Sequence, residues 1–277
     1  MTEGDFVAII GLGLIGGSLA RDLAARGTRV RAYDRDRASL ADAIAQGVVE
    51  CALDADLGGV RDASAIVIAV PVDAAVEVLE RIAPLVQRDA LVTDVGSTKT
   101  GIVACAARLG LERNFVGAHP LAGDHRSGWP AARAGLLCGA RVYLCPTAAT
   151  EAALVERASD FWAQFGAQPT TIAPARHDEQ LAYTSHLPQF VSIGLALALA
   201  RRGVERRDLG PGGRDVTRLA GSSPEMWTAI ARENADALHD ALLTAERELA
   251  GLRGALSGTS GEALHERLTA AHAWFEV

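Results

Sequence analysis

One stretch, Phe6-Val-Ala-Ile-Ile-Gly-Leu-Gly-Leu-Ile-Gly-Gly-Ser18, constrains the fold of this chain more than any other. The apolar run Phe6 to Ile10 reads as a buried strand. Gly11, Gly13 and Gly16 follow at the spacing G-x-G-x-x-G, and Leu19, Leu23 and Ala24 then recur at helical spacing. Each glycine has a separate role. Gly11 allows a tight turn, Gly13 lets the backbone approach a pyrophosphate closely, and Gly16 lets the helix pack close to the strand. The helix that opens here aims its unpaired N–H groups and positive dipole end at the phosphates. A second strand, Thr28-Arg-Val-Arg-Ala-Tyr-Asp34, ends in an acid at the distance a dinucleotide site requires. A bare βα turn without ligand would not need that acid. Gly11, Gly13, Leu14, Ile15 and Gly16 are therefore expected to bind the cofactor.

Asp34 selects which dinucleotide. A carboxylate there accepts hydrogen bonds from ribose hydroxyls and repels a 2′-phosphate, which favours NAD over NADP. Arg35, beside it, is the residue that would accommodate such a phosphate. The competing reading of Asp34 is a cap for the helix that follows.

Strands then alternate with helices. Ala65 to Val70, ending at Pro71, is a continuous apolar run typical of a buried parallel strand. Ala90 to Val95, Phe115 to Ala118 and Arg141 to Cys145 read as further strands, and Gln168 to Ile172 as the last. Such alternation implies an α/β fold, a Rossmann-type doubly wound parallel sheet. From Ala175 onward the sequence is almost wholly helical. We expect a nucleotide-binding domain over residues 1–173 and an all-helical substrate and dimerisation domain over 174–277. Ligands of such sheets bind beyond the carboxyl ends of the strands. Val70-Pro71, Gly96-Ser97 and His119-Pro120 all stand at such ends.

Composition removes several function classes. The chain has 277 residues and a net charge of −7, so no basic field invites nucleic acid. Leu187 to Ala200, its most apolar helical stretch, is too short to span a bilayer. Met1 to Asp5 runs directly into the first strand, so no targeting segment is expected. The four cysteines show neither paired nor metal-ligating spacing, so a reducing cytoplasm is expected, with no metal.

Three polar groups in the first domain could carry chemistry. An imidazole at His119 could take a proton from a substrate hydroxyl, since histidine titrates near neutral pH. Taken alone, a capping or core histidine fits better. Ser97 could hydrogen-bond a substrate oxygen, cap the next helix, or do both, and Lys99 fits a loop anchor. In the helical domain, His186 opens an apolar helix, where a satisfied buried polar group is the usual occupant. Arg214 and Arg218 would share a face if that stretch is one helix, and arginines beside a glycine loop suit carboxylates. Ser223, or a Ser222–Glu225 box, would cap the helix that carries Trp227.

Six segments occur in one order: Gly11-Leu-Gly-Leu-Ile-Gly-Gly-Ser18, Asp94-Val-Gly-Ser-Thr-Lys99, Gly117-Ala-His-Pro-Leu-Ala-Gly123, Ser185-His-Leu-Pro188, Arg214-Asp-Val-Thr-Arg-Leu-Ala220 and Pro224-Glu-Met-Trp227. Together they resemble the prephenate/arogenate dehydrogenase family of tyrosine biosynthesis, over nearly the whole chain. The resemblance implies that His119 is the catalytic group on the ring C4 hydroxyl and that Ser97 assists it. It implies that His186 lines the substrate site, that Arg218 binds a substrate carboxylate, and that Trp227 walls the pocket. The implied reaction is oxidative decarboxylation of a cyclohexadiene with hydride passing to NAD, in a homodimer formed through the helical domains.

The segment after Gly123 departs from the family pattern. His125 stands where a glutamate is common, and Arg126 follows it. An acid would attract the ammonium of arogenate, and its replacement favours prephenate. Side chains facing solvent here would carry no such information. No appended regulatory module or fused mutase is expected. Other readings of the same features are a dehydrogenase for a 3-hydroxy acid, one for an amino analogue of prephenate, and a non-catalytic NAD sensor.

Overall fold

The glycine turn forms where its spacing requires. The structure is a computed structural model that describes residues 5–123, 126–257 and 261–276. β1 (Phe6–Ile10) leads through the turn into α1 (Leu14–Ala25), followed by β2 (Arg29–Tyr33), α2 (Arg37–Ala45) and a two-residue strand, β3 (Cys51–Ala52). The chain continues through β4 (Ala65–Ile68), α3 (Val72–Ile82), β5 (Leu91–Asp94), α4 (Thr100–Arg108), β6 (Phe115–Pro120) and β7 (Arg141–Cys145). Then come α5 (Ala152–Ala163), β8 (Gln168–Thr171) and α6 (Pro174–Leu181). A π-helical turn, Ala182–His186, joins α6 to α7 (Leu187–Arg201), and α8 (Pro211–Val216), α9 (Pro224–Glu233), α10 (Ala235–Ala255) and α11 (Glu262–Phe275) complete the chain.

These elements make two compact units. One runs to Gln180 and takes back Gly221–Asn234; the other comprises Leu181–Ala220 and the chain from Ala235. The expected division at 173/174 falls a few residues earlier. The difference has a local reason: α6 passes into α7 through the π turn, so no loop marks the crossing, and α9 packs on α3 of the first unit.

The first unit is an eight-stranded sheet in the order β3-β2-β1-β4-β5-β6-β7-β8. The order reverses between β1 and β4, the position at which such sheets open a ligand crevice. Burial follows from the pleat. Val7 and Ile9 point into a cluster with Leu19, Leu23, Trp162 and Phe165, while Phe6, Ala8 and Ile10 are buried on the opposite face. Each of the Val, Leu, Ile and Phe side chains here contributes about 1.5–3 kcal/mol on burial.

The alternation of strands and helices implies a parallel sheet, and the sheet is parallel except at one pairing. β7 runs antiparallel to β6, with His119 opposite Tyr143. Among the described residues between these strands only a short 3-10 turn, Trp129–Ala131, appears. Without a crossover helix to carry the chain back, the next strand must return in the opposite sense.

The second unit is helical. α10 packs against α7 and against the π turn, and α11 packs on α10. No helix among the described residues is long and apolar enough to cross a membrane.

Candidate active site

The nucleotide cradle is built by exclusion. Gly11 holds φ = +101°, and a Cβ there would run into the Ala69 carbonyl. A Cβ on Gly16 would meet the Gly11 carbonyl and lie 2.8 Å from the Ala69 Cβ. Gly13 differs, with nothing within 4 Å of its added Cβ. Gly13 is also the N-cap of α1, and no side chain caps that helix. An open position above unclaimed N–H groups at a positive dipole end suits a pyrophosphate. The half-buried Leu14 and Ile15 form the first turn of α1. Val70, half-buried, and Pro71, exposed, follow β4 directly beside Ala69.

Asp34 stands at the carboxyl end of β2. Its Oδ2 accepts the Leu12 N–H at 2.6 Å and its Oδ1 the Asp36 N–H at 2.7 Å. The cap of α2 is Asp36, which accepts from the Ala38 N–H. Asp34 is therefore tied to the glycine turn rather than used as the helix cap. Arg35 beside it is exposed.

The second part of the site lies where β5 and β6 end. Asp94 accepts the Gly96 N–H at 2.8 Å and the Ala118 N–H at 3.0 Å, and it pairs with the fully buried ammonium of Lys99. This pair closes the turn that carries Ser97. Ser97 is half-buried and is not the helix cap: the N-cap of α4 is Lys99. The cap comes from a distant element. Both oxygens of Asp178, in α6, accept from this turn, Oδ1 from the Lys99 N–H and Oδ2 from the Thr100 N–H, each at 2.8 Å. Burial pushes the Asp178 carboxyl up, but hydrogen bonds from His177, Thr100 and Lys99 outweigh it and hold the group below its ordinary value.

His119 is 8% exposed. Its Nδ1 lies 2.9 Å from His177 Nε2, and His177 Nδ1 lies 2.7 Å from Asp178 Oδ1. The Tyr143 ring meets His177 edge-on at 5.4 Å, and Gln180 donates to the Tyr143 hydroxyl. Cys145 on β7 is buried, and burial pushes its thiol up to about 12, so it stays protonated.

His177 and Asp178 were not identified from sequence. Arg176-His-Asp-Glu179 reads as a solvated polar run, yet His177 is completely buried. The available signal was its position four residues before the buried Leu181, on one helix face.

The structure brings Gly11 to Gly16, Val70-Pro71, Ser97 and His119 to the carboxyl edge of four neighbouring strands, β1, β4, β5 and β6. Trp129 anchors the far end of the segment after β6, donating to Asp42 at 2.6 Å, and the Arg133 N–H reaches the Ser18 hydroxyl. Arg126 is exposed, and His125 lies outside the described residues. Trp227, half-buried, is on α9 in the first unit, capped by Ser223.

His186 and Arg218 belong to the second unit. His186 is buried at the end of the π turn, a distortion often found at functional sites. Arg218 is exposed and opens a 3-10 turn, Arg218–Gly221, that Gln189 and Ser192 of α7 hold through Leu219 and Ala220. Arg214 and Arg218 do not share a helix face. α8 stops at Val216, and Arg214 donates to the Arg207 carbonyl.

A Rossmann-type cradle with an acid at β2 and a buried histidine two strands beyond the crevice defines a nucleotide-dependent dehydrogenase. Comparison with known proteins gives the family. Residues 19–170 match the model for the prephenate dehydrogenase nucleotide-binding domain, and residues 173–270 that for the prephenate dehydrogenase dimerization domain. The chain belongs to the prephenate dehydrogenase family. It is 34% identical to the prephenate dehydrogenase of Bacillus subtilis (strain 168), over 85% of this chain and 66% of that protein's length. It is 33% identical to the cyclohexadienyl dehydrogenase of Zymomonas mobilis, over 96% of this chain and 93% of that protein. The prephenate dehydrogenase of A. aeolicus, solved in complex with hydroxyphenyl propionate and NAD+, superposes with a TM-score of 0.90 at 28% identity, covering 100% of this chain and 98% of that one.

Proposed function

We propose that this chain is an NAD-dependent prephenate dehydrogenase, which converts prephenate to 4-hydroxyphenylpyruvate and CO2. The observation that carries the reading is the buried imidazole of His119 at the same sheet edge as the open N-terminus of α1. Membership of the family supports it.

Gly13 and the first turn of α1 would hold the pyrophosphate. Asp34 would accept the ribose hydroxyls and repel a 2′-phosphate, so the cofactor is NAD. The chemistry NAD supplies is acceptance of a hydride from ring carbon C4. His119 takes the proton of the C4 hydroxyl as that hydride departs. Ser97 orients the same hydroxyl. Loss of the ring carboxylate as CO2 then delivers its electron pair to the ring, and His119 returns the proton to the phenolate oxygen. Aromatisation drives the step, so the protein contributes mainly orientation and polarisation.

Arg218 would bind a substrate carboxylate through its exposed guanidinium, and His186, Trp227, Arg126 and His125 would contribute to substrate binding. The preference for prephenate over arogenate rests on charge: residues 125 and 126 are histidine and arginine, neither of which attracts an ammonium, and they follow a single acid, Asp124.

The chain would work as a homodimer through its second unit. α7 exposes Val191, Leu195 and Leu197, and α10 and α11 expose Leu249, Leu268, Trp274 and Phe275. Apolar area of this kind marks association surfaces. NADH formation by purified protein, with prephenate and arogenate at matched concentrations, tests the activity. Turnover of neither substrate would overturn it.

A further inference from the structure

We propose that His177 is a positioning residue that fixes His119 in the base tautomer and takes up the inner proton while His119 holds the one from substrate. The inference rests on His119 being the base of the proposed reaction.

The hydrogen-bond directions follow one from another. Asp178 is held ionised, so it can only accept. His177 Nδ1, 2.7 Å from Asp178 Oδ1, must then carry a hydrogen. A neutral His177 therefore presents a lone pair at Nε2. His119 Nδ1, 2.9 Å away, must donate to it. Neutral His119 consequently has its lone pair on Nε2, the nitrogen turned away from His177. That is the tautomer a general base needs.

The same contact handles the proton once it is taken. When His119 Nε2 gains the hydroxyl proton, its Nδ1 hydrogen can cross to His177 Nε2. The positive charge then lies next to the Asp178 carboxylate, and reversing both transfers returns the proton to the phenolate oxygen. No atom is gained or lost.

The charges around His177 favour this. From β6 it faces His119, and from β7 the ring of Tyr143. On its own helix it faces Asp178, whose oxygens also take the Lys99 and Thr100 amides. Behind these stand the Lys99–Asp94 pair and the protonated Cys145. Among the described residues, two carboxylates and one ammonium leave one buried negative charge here, which a proton on the histidine pair neutralises. Burial of both rings keeps solvent from supplying competing partners.

Two variants and one spectrum test the proposal. His177→Phe retains an aromatic ring without either nitrogen, whereas His177→Gln supplies a carbonyl that can accept from His119 Nδ1. In the NAD-bound protein, 15N spectra of labelled histidine, assigned by the resonance lost in His119→Asn, should show His119 protonated at Nδ1 at alkaline pH. His177→Phe should mix the two tautomers and lower kcat about 100-fold, with KM and NAD affinity little changed. His177→Gln should restore the Nδ1-protonated tautomer but only part of kcat, because the amide accepts the hydrogen bond and takes up no proton. A wild-type His119 protonated at Nε2, or full kcat in His177→Phe, would overturn the proposal. If His177→Phe does not fold, the wild-type spectrum alone decides. That spectrum needs no substrate, so it stands or falls separately from the prephenate assignment.

Discussion

The carboxylate of Asp178 caps the turn at Lys99 from 79 residues away in sequence, and it does so while accepting from His177. One side chain thus joins the start of α4, the turn that carries Ser97, and the histidine pair. Its loss should be felt in stability and in rate together.

Asp178→Asn should cost about 1–3 kcal/mol, because an amide cannot accept from all three donors and places its own N–H group against one of them. Chemical denaturation measures this. The pH dependence has a definite sign. The folded state holds the Asp178 carboxyl below its ordinary value of 3.8, so its contribution is complete above that value and is lost as pH falls from there through the depressed one. The acid limb of the wild-type stability curve should include this loss, and that of Asp178→Asn should lack it.

Lys99→Met should destabilise more strongly. The Lys99 and Asp94 side chains are both fully buried, and removing the ammonium leaves a buried carboxylate without its counter-charge. Such changes cost about 3–5 kcal/mol. A thermal midpoint within a degree or two of wild type would show that Asp94 does not depend on Lys99.

The cradle glycines separate folding from binding. Gly16→Ala forces a methyl group into the Gly11 carbonyl and should unfold or strongly destabilise the first unit. Gly13→Ala meets nothing and should fold almost normally, since a glycine N-cap replaced by alanine costs about 1 kcal/mol or less. Its NAD affinity should nevertheless fall about tenfold, because the methyl group occupies the space a pyrophosphate needs. Equal NAD affinity in Gly13→Ala and wild type would remove Gly13 from the cradle.

Much of this cradle was legible in the sequence. The run Phe6 to Ile10, the three glycines and Asp34 are near neighbours, and the physics that fixes them is local. Gly96-Ser97 and His119 stood out by their positions at strand ends. What escaped was set by closure of the chain. The direction of β7 goes with the lack of a crossover helix among the described residues after Pro120. The burial of His177 depends on where α6 docks. The separation of Arg214 from Arg218 depends on a break at Thr217, whose hydroxyl turns back to the Gly213 carbonyl. Apart from the four-residue spacing of His177 to Leu181, no periodicity in the sequence announces these.

Leu197 is 56% exposed on α7. Leu197→Glu should convert a dimer to a monomer in light scattering, with the secondary structure retained. A wild-type protein that runs as a monomer at micromolar concentration would contradict the proposed homodimer.

The central assignment is His119 as the base of an NAD-dependent prephenate dehydrogenase. Its most direct test is steady-state NADH formation from prephenate by wild type and His119→Asn, with NAD affinity measured in parallel. The expected result is turnover by wild type, faster with prephenate than with arogenate, and a kcat lowered by about 100-fold or more in the variant at unchanged NAD affinity. A variant that keeps the wild-type kcat would contradict the assignment.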